Sequence, residues 1–345
     1  MKISNLLIIM IIIAALVLTS CQNQNPSTPI TPYVGGSKGV TMGFQEQRPP
    51  DKVYGATYEE GELIPGSSFS VGIKLENNGE EGLFDEIDDD NDNIFDDFGR
   101  LTLSGINPTH YGLNQDDLII NFDDYNEGEI VLRPNKKYVE EGPSSQGGIA
   151  NVQFPIMNYA NDVEGFNEVT FMVDLCYNYK TKSITNICLV EDSDNAKVCN
   201  PSETKKTSNS GAPIHVTQIT QIPVGNKKIQ TIIEIEKVNP SGEVYAPIDI
   251  GDVSDKVCDS SSTNSNKNRI YVKVTLPDGN EGIDCPDFRD NDNEGLINLN
   301  EGAPTSISCD IEGDENSNDY QTQLRVDLEY SYGEYMTKTI TLAER

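Results

Sequence analysis

The feature that most constrains the fold of this chain is a seven-residue motif that occurs twice. VDLCYNY occupies residues 173–179 and VDLEYSY occupies residues 326–332. The similarity extends without a gap over a longer stretch on both sides, and weaker matches precede the two copies in the same order: 122–132 with 289–299, and 69–79 with 230–242. Self-similarity that keeps its order along the chain indicates a structural unit that is written twice.

Short segments of both halves alternate apolar and polar side chains. Apolar residues occupy every second position in 69–75, 270–276 and 326–332. A period of two predicts strands with one buried face and one solvated face. Polar turn clusters such as NNGEEG, PDGNEG and EGDENSND separate these segments. The sequence therefore predicts an all-β chain built as antiparallel β-sandwiches.

This pattern resembles the immunoglobulin-like repeats of prokaryotic cell-surface lipoproteins, archaeal ones among them. The resemblance implies two tandem antiparallel immunoglobulin-like β-sandwich domains. The chain contains no Trp, so it departs from the antibody-type core in which a Trp packs on a disulfide. A polar, turn-rich segment near residue 210 predicts the boundary, with the first domain at 33–205, a linker at 206–212 and the second domain at 213–345.

The N-terminus has the pattern of an export signal. Lys2 precedes a continuous apolar run over residues 6–18, which is shorter than the about 20 residues of a membrane-spanning helix and typical of a signal peptide. The residues L-T-S-C that end at Cys21 resemble the bacterial lipobox. The resemblance implies that a signal peptide at 1–20 is removed and that Cys21, at the start of a polar linker over 21–32, is lipidated. An uncleaved signal anchor and a plain secretory signal are the alternatives.

The charge balance excludes some partners. The chain carries 56 Asp and Glu against 25 Lys and Arg, a formal net charge of −31. Phosphate binding requires Lys and Arg, so we expect no nucleic-acid partner. An acidic surface is also repelled by anionic lipid. The expected partners are the membrane, through the N-terminal lipid, and an envelope protein or surface ligand.

The cysteine count indicates disulfides. Six cysteines remain besides Cys21, an even number that predicts pairing in an exported protein: Cys176, Cys188, Cys199, Cys258, Cys285 and Cys309. Three fall in each half, so at least one bridge must cross between the halves if all of them pair. The sequence leaves the connectivity open. Loop-like positions favour Cys199 with Cys258 as the crossing pair, Cys285 with Cys309 would close a loop inside the second domain, and this leaves Cys176 with Cys188.

An acidic insertion at 80–98 contains candidate calcium ligands, namely Asp88, Asp90, Asp92 and Asp96. Alternate residues of a tight loop point inward, so this spacing brings carboxylates together around one cation. Gly99 stands where such loops place a bidentate acid, and the alternative is a solvated insertion. Residues 290–301 also match a calcium-loop pattern, but the first half carries the same turn and strand without the ligands, so we interpret them as scaffold.

We find no catalytic motif. The two histidines, His110 and His215, lie outside any metalloprotease or nucleophile pattern. A glycosidase is recognised by the separation in space of its two carboxylates, which a sequence does not show. The absence of Trp argues against a glycosidase and against a sugar-stacking module. Four tyrosines recur at matched positions and predict core packing rather than an aromatic binding face: Tyr177, Tyr179, Tyr330 and Tyr332.

These observations favour a non-catalytic, membrane-anchored cell-surface lipoprotein with a binding, adhesion or envelope-structural role. One alternative is a secreted hydrolase or solute-binding protein that uses carboxylates, which would need a cleft with converging acids. Another is a surface filament subunit, which would need an unpaired edge strand to offer to a neighbour.

Overall fold

The computed structural model describes residues 32–83, 99–122, 130, 132–135, 146–247, 258, 266–277, 279, 282–289, 292–314 and 317–345. Tyr33–Arg345 form one compact unit. Within the described ranges the only helical turns are two 3-10 helices, Pro108–Tyr111 and Asp116–Leu118. The fold is therefore all-β, as the alternation predicted. None of the helices in these ranges has the length and apolar character needed to cross a membrane.

The strands of the described residues follow one another along both halves of the chain. In order they are β1 (Val40–Phe44), β2 (Lys52–Tyr54), β3 (Thr57–Glu59), β4 (Glu62–Ile64), β5 (Ser68–Phe69), β6 (Gly72–Asn77), β7 (Gly99–Ser104), β8 (Ile119–Asn121), β9 (Ile149–Gln153), β10 (Met157–Asn158), β11 (Phe166–Leu189), β12 (Glu203–Lys206), β13 (Ser208–Asn209), β14 (Ile214–Gly225), β15 (Lys228–Lys237), β16 (Glu243–Tyr245), β17 (Arg269–Thr275), β18 (Ile283–Asp284), β19 (Glu294–Asn298), β20 (Thr305–Glu312) and β21 (Tyr320–Ala343).

The largest sheet joins strands of both halves. Its main path runs β19-β17-β21-β11-β7-β8, which is three strands of the second half followed by three of the first. The two strands at its centre, β11 and β21, are each 24 residues long. They pair antiparallel from end to end, so each half completes the sheet of the other.

The pairing of β11 with β21 follows the sequence repeat. The repeat aligns Asn178 with Ser331, and the same two residues face each other in the ladder. A local twofold axis therefore passes between them, and the Ser331 hydroxyl donates a hydrogen bond of 2.6 Å to Asn178 Oδ1. The flanking strands obey the same symmetry, because Leu101 of β7 pairs with Leu175 while Val272 of β17 pairs with Leu328, the repeat equivalent of Leu175.

Two smaller sheets cover one face of the central sheet. The first half contributes β1-β6-β9 and the second half contributes β12-β14-β15-β20-β18. In each of them a strand with alternating burial, β6 or β15, lies between antiparallel neighbours. Their inward side chains join those of the central sheet in a hydrophobic core that extends through both halves.

Two pairs of tyrosines fill the core beside the twofold axis. Tyr177 faces Tyr332 and Tyr179 faces Tyr330 in the ladder, and all four side chains are buried. The rings of Tyr177 and Tyr332 meet edge to face with their centroids 5.9 Å apart. The prediction that these tyrosines pack in the core is confirmed.

The tyrosine hydroxyls also obey the twofold symmetry. The Tyr177 hydroxyl accepts a hydrogen bond from the backbone N–H of Val40, at the start of β1, over 3.1 Å. Its repeat equivalent, Tyr330, has its hydroxyl 2.9 Å from that of Thr181, which in turn donates to the carbonyl of Ile214, at the start of β14. Each half thus fastens its covering sheet to the central sheet through a buried tyrosine.

The tandem immunoglobulin-like arrangement is not confirmed. The strands of 33–205 and 213–345 share a sheet and a core, and Tyr33–Arg345 form one compact unit. The linker at 206–212 includes β13, which pairs with β11. A local alternation shows that a strand has a buried face but does not identify the strand beside it. The boundary between the two repeat units stays a prediction.

The six cysteines form three disulfides. The pairs are Cys176–Cys258, Cys188–Cys199 and Cys285–Cys309. The prediction of disulfides is confirmed, as are the Cys285–Cys309 pair and a bridge that crosses the halves. The favoured pairs Cys199–Cys258 and Cys176–Cys188 are wrong. Cys176 and Cys188 both lie on the extended strand β11, so their separation far exceeds the about 7 Å between Cα atoms that a disulfide spans.

Candidate functional site

The face of the central sheet that points away from the core is called the outer face here. Side chains alternate along each strand, so the residues between the buried tyrosines and leucines point outward. On β11 these include Asp174 and Cys176, which lie opposite Tyr335 and Gly333 of β21. On β7, Arg100 and Thr102 pair with the same two β11 residues and also point outward.

A cleft of about 570 Å³ opens on the outer face of the central sheet and is lined by residues of both halves. Its floor is formed by outward residues of β7, β11 and β21. Its wall comes from β16, which pairs with β21 at residues 331–333, and from Cys258, which is bonded to Cys176. The polar groups that line it are Arg100, Thr102, Asp174, Glu243, Tyr245, Glu334 and Tyr335.

Asp174 is the carboxylate at the floor of the cleft. Partial burial raises its pKa, while the Ser104 hydroxyl, 3.4 Å away, and the positive charge of Arg100 act in the opposite direction. In the part of the chain that the structure describes, neither Arg100 nor Asp174 forms an ion pair. The cleft therefore offers a guanidinium donor and a carboxylate acceptor that are available to a ligand.

The wall of the cleft is already paired. Glu243 forms an ion pair with Lys267 at 2.6 Å and accepts a hydrogen bond from the Tyr245 hydroxyl at 2.5 Å. These two donors lower the pKa of Glu243, and burial raises the pKa of Tyr245. The wall is thus held in place. Glu334 also lines the cleft and accepts a hydrogen bond of 3.0 Å from the Asn239 amide. The longer 3.4 Å bond from Ser104 leaves Asp174 as the carboxylate most available to a ligand.

The equivalent position of the second half is closed by ion pairs. The repeat aligns Asp174 with Asp327 and Cys176 with Glu329. Arg325 pairs with Asp327 at 2.8 Å and Lys180 pairs with Glu329 at 2.6 Å. Tyr33 lies close to this cluster, and burial raises the pKa of its hydroxyl. The same scaffold position is therefore satisfied internally in one half and open in the other.

A second cleft, of about 780 Å³, lies on the other side of β16. Lys267 on its rim is paired with Glu243, and the Asn268 amide donates to Glu301 at 2.9 Å. Lys237 donates to the carbonyl of Gly242 at 2.9 Å. Because these polar groups hold one another, we take the cleft at Asp174 as the candidate functional site.

The predicted calcium and lipid residues lie outside the described residues. This holds for Asp88, Asp90, Asp92, Asp96 and Cys21, so calcium binding and lipidation stay predictions. The residues that the structure describes contain no group of three or more His, Cys, Asp or Glu arranged to hold a metal ion.

Two acids of 292–301, Glu294 and Glu301, are held by the scaffold, in agreement with our interpretation of that segment. Glu294 lies on β19 and forms an ion pair with Lys273 at 2.6 Å, and Glu301 accepts from Asn268. The histidines lie apart from the cleft lining. His215 Nε2 is 3.1 Å from the carbonyl of Gly36, and burial lowers its pKa.

Sequence reasoning missed the cleft residues Arg100, Asp174 and Tyr245. Asp174 belongs to the VDL motif that both halves share, so the repeat marks it as scaffold. The sequence could have indicated the site at the outward positions where the two copies differ. Lys180 and Glu329, which pair with each other, are replaced in the other copy by Gly333 and Cys176. Loss of charge at these positions removes the ion pairs that close the second half.

Neither protein-family models nor curated proteins nor solved structures give a match to this chain. The function is therefore inferred from the site and the fold. The three disulfides indicate the compartment of the protein, because such bonds are typical of an oxidising, extracytoplasmic environment.

Proposed function

We propose that this protein is a non-catalytic binding protein, exported and tethered to the membrane by a lipid on Cys21, which presents the outer-face cleft to a surface ligand. The observation that carries the proposal is the difference between the halves. Ion pairs satisfy Asp327 and Glu329 in the second half, whereas Asp174 and Arg100 line an open cleft in the first.

The arrangement favours binding over hydrolysis. A glycosidase-type mechanism needs two carboxylates that both act on the substrate. Glu243 is engaged by Lys267 and Tyr245, and Glu334 by Asn239, which leaves Asp174 as the acid most available to a ligand. Binding requires only that desolvated donors and acceptors find partners on the ligand.

A secreted hydrolase is the second candidate. The observation in its favour is that Asp174 has a raised pKa and Glu243 a lowered pKa within one cleft. Two carboxyl groups whose environments separate their pKa values suit an acid and a base. Turnover of a glycan that is lost in both Asp174→Asn and Glu243→Gln would establish this alternative.

We also infer that each half derives from one immunoglobulin-like two-layer unit. The support is that each half supplies three strands to the central sheet and a covering sheet of its own. After duplication, the two units merged along β11 and β21.

The tether is tested by a change at one residue. We expect Cys21→Ser to move the full-length protein from the membrane fraction to the soluble extracytoplasmic fraction and to abolish incorporation of labelled palmitate, because stable anchoring depends on acyl chains. Ser20→Ala is the matched control, since it keeps a small residue before the cysteine, and it should stay membrane-bound and labelled. A Cys21→Ser protein that remains in the membrane would contradict the lipid tether and indicate a signal anchor.

A further inference from the structure

A continuous strip of uncharged side chains leads away from the cleft along the outer face. The facing pairs of β11 and β21, in order from the cleft, are Asp174 with Tyr335, Met172 with Thr337, Thr170 with Thr339, and Glu168 with Thr341. Thr170, Thr337 and Thr339 are exposed, and the hydroxyls of Thr170 and Thr339 lie 2.8 Å apart. We call these four pairs the hydroxyl strip. It covers seven residues of β11, 168–174, so the six rises along this extended strand make it about 20 Å long.

The strip stands out against the charge of the chain. Asp and Glu outnumber Lys and Arg by 56 to 25, yet the strip carries charge only at its ends, on Asp174 and Glu168. The repeat equivalents of the strip differ in charge and in bonding: Arg325 stands for Met172, Lys182 stands for Tyr335, and Cys188, in a disulfide, stands for Thr341. An uncharged, hydroxyl-rich face is thus a property of this end of the sheet and not of the scaffold.

Exposed aromatic rings lie at both ends of the strip. Tyr335, at the cleft end, is 70% exposed. Phe166, beyond the far end, is 74% exposed and faces Ala343, whose other neighbour in the sheet is Tyr54. Exposed aromatic side chains on the same face as a cleft offer apolar contact area to a ligand. The absence of Trp argued against a sugar-stacking module, but Tyr335 and Phe166 supply flat apolar faces of the kind that Trp would provide.

We propose that the cleft and the hydroxyl strip together bind an extended, neutral glycan chain, an inference that rests on the proposed binding function and names its ligand class. Asp174 and Arg100 offer an acceptor and a donor to vicinal hydroxyls, and the threonines offer further hydrogen bonds along the chain. Tyr335 and Phe166 offer faces to the C–H surfaces of sugar rings. The absence of charge between the ends suits a neutral polymer.

Other extended ligands fit this surface less well. A peptide that adds to a sheet needs a strand edge with free backbone groups. The central part of the strip lies on the face of β11 and β21, whose facing backbones are paired with each other. A cationic ligand would meet Arg100 beside Asp174, and a polyanion would meet the net negative charge of the chain.

The test is calorimetric titration of the purified full-length protein in detergent with linear hexasaccharides of glucose, mannose and N-acetylglucosamine. We expect at least one of them to bind. Tyr335→Ala should weaken that binding about tenfold or more, through loss of a stacking face. Thr339→Lys should weaken it by a similar factor, because it places a charge in the middle of the strip. The matched control is Tyr58→Ala, which removes a tyrosine that is 63% exposed on the β3–β4 hairpin and should leave affinity unchanged.

Three results would overturn the proposal. The first is that none of the three hexasaccharides binds. The second is that Tyr335→Ala and Tyr58→Ala have equal affinity and Thr339→Lys has no effect, and the third is that hexalysine or polygalacturonate binds in preference to the neutral chains. The tether is measured separately, by fractionation of cells. A protein that stays membrane-bound through Cys21 but does not bind neutral glycans therefore overturns the glycan inference and leaves the lipid tether intact.

Discussion

Replacing Tyr330 by Ala is expected to lower the free energy of unfolding by about 4 kcal/mol, the range found for large buried side chains truncated in a core. The Tyr330 side chain is fully buried, its ring centroid lies 6.5 Å from that of Tyr179, and its hydroxyl bonds to Thr181 at 2.9 Å. Truncation leaves a cavity where the two halves meet. Urea unfolding monitored by circular dichroism measures the change.

Tyr335→Ala is the matched control for this variant. It lies on the same strand, but its side chain is 70% exposed, so we expect a change within about 0.5 kcal/mol. Tyr177→Ala, at the repeat equivalent of Tyr330, should cost about as much as Tyr330→Ala. A Tyr330 variant as stable as the Tyr335 variant would show that the tyrosines do not hold the halves together.

Removing the Cys176–Cys258 disulfide is expected to have the second large effect, about 4 kcal/mol by the chain-entropy relation. The bridge joins residues 82 apart in sequence, against 24 for Cys285–Cys309 and 11 for Cys188–Cys199. A longer loop constrains the unfolded chain more, so the three double Cys→Ala variants should lose stability in that order. Denaturant midpoints under non-reducing conditions give the ranking. A largest loss for the Cys188–Cys199 pair would contradict this account of the bridges.

Much of the local structure could be predicted from the sequence. The alternation over 326–332 corresponds to a segment of β21, and that over 270–276 corresponds closely to β17. Period-two patterning reports a local property, the burial of one face of a strand, and local properties are encoded by neighbouring residues. The buried tyrosines were recognised for the same reason, because both copies of the motif keep them on the inward face.

The partners of those strands could not be predicted. β11 pairs with β7 of its own half on one side and with β21 of the other half on the other side. These pairings depend on contacts between residues far apart in sequence, which the alternation does not report. The disulfide pairing failed for the same reason: Cys176 and Cys258 are 82 residues apart in sequence, and no local pattern indicates that Cys258 lies against Gly333, opposite Cys176.

The candidate site was missed for a related reason. Asp174 looks like scaffold in the sequence, since Asp327 repeats it. Its availability comes from what surrounds it. Among the residues that the structure describes, Arg100 on β7 forms no ion pair, and Met172 stands where the second half has Arg325, which pairs with Asp327. The chemistry of the site therefore depends on differences between the two copies. These differences can be interpreted only when the twofold axis shows which residues of the two copies are equivalent in space.

The claim on which the rest depends is that two repeats share one sheet across the Asn178–Ser331 axis. Native-state amide hydrogen exchange, read by mass spectrometry on peptides covering 173–179 and 326–332, tests it most directly. We predict that both segments open with the same free energy, near that of global unfolding, since each protects the backbone of the other. Exchange of one segment at least about tenfold faster than the other, as expected of two domains that unfold separately, would contradict the shared sheet.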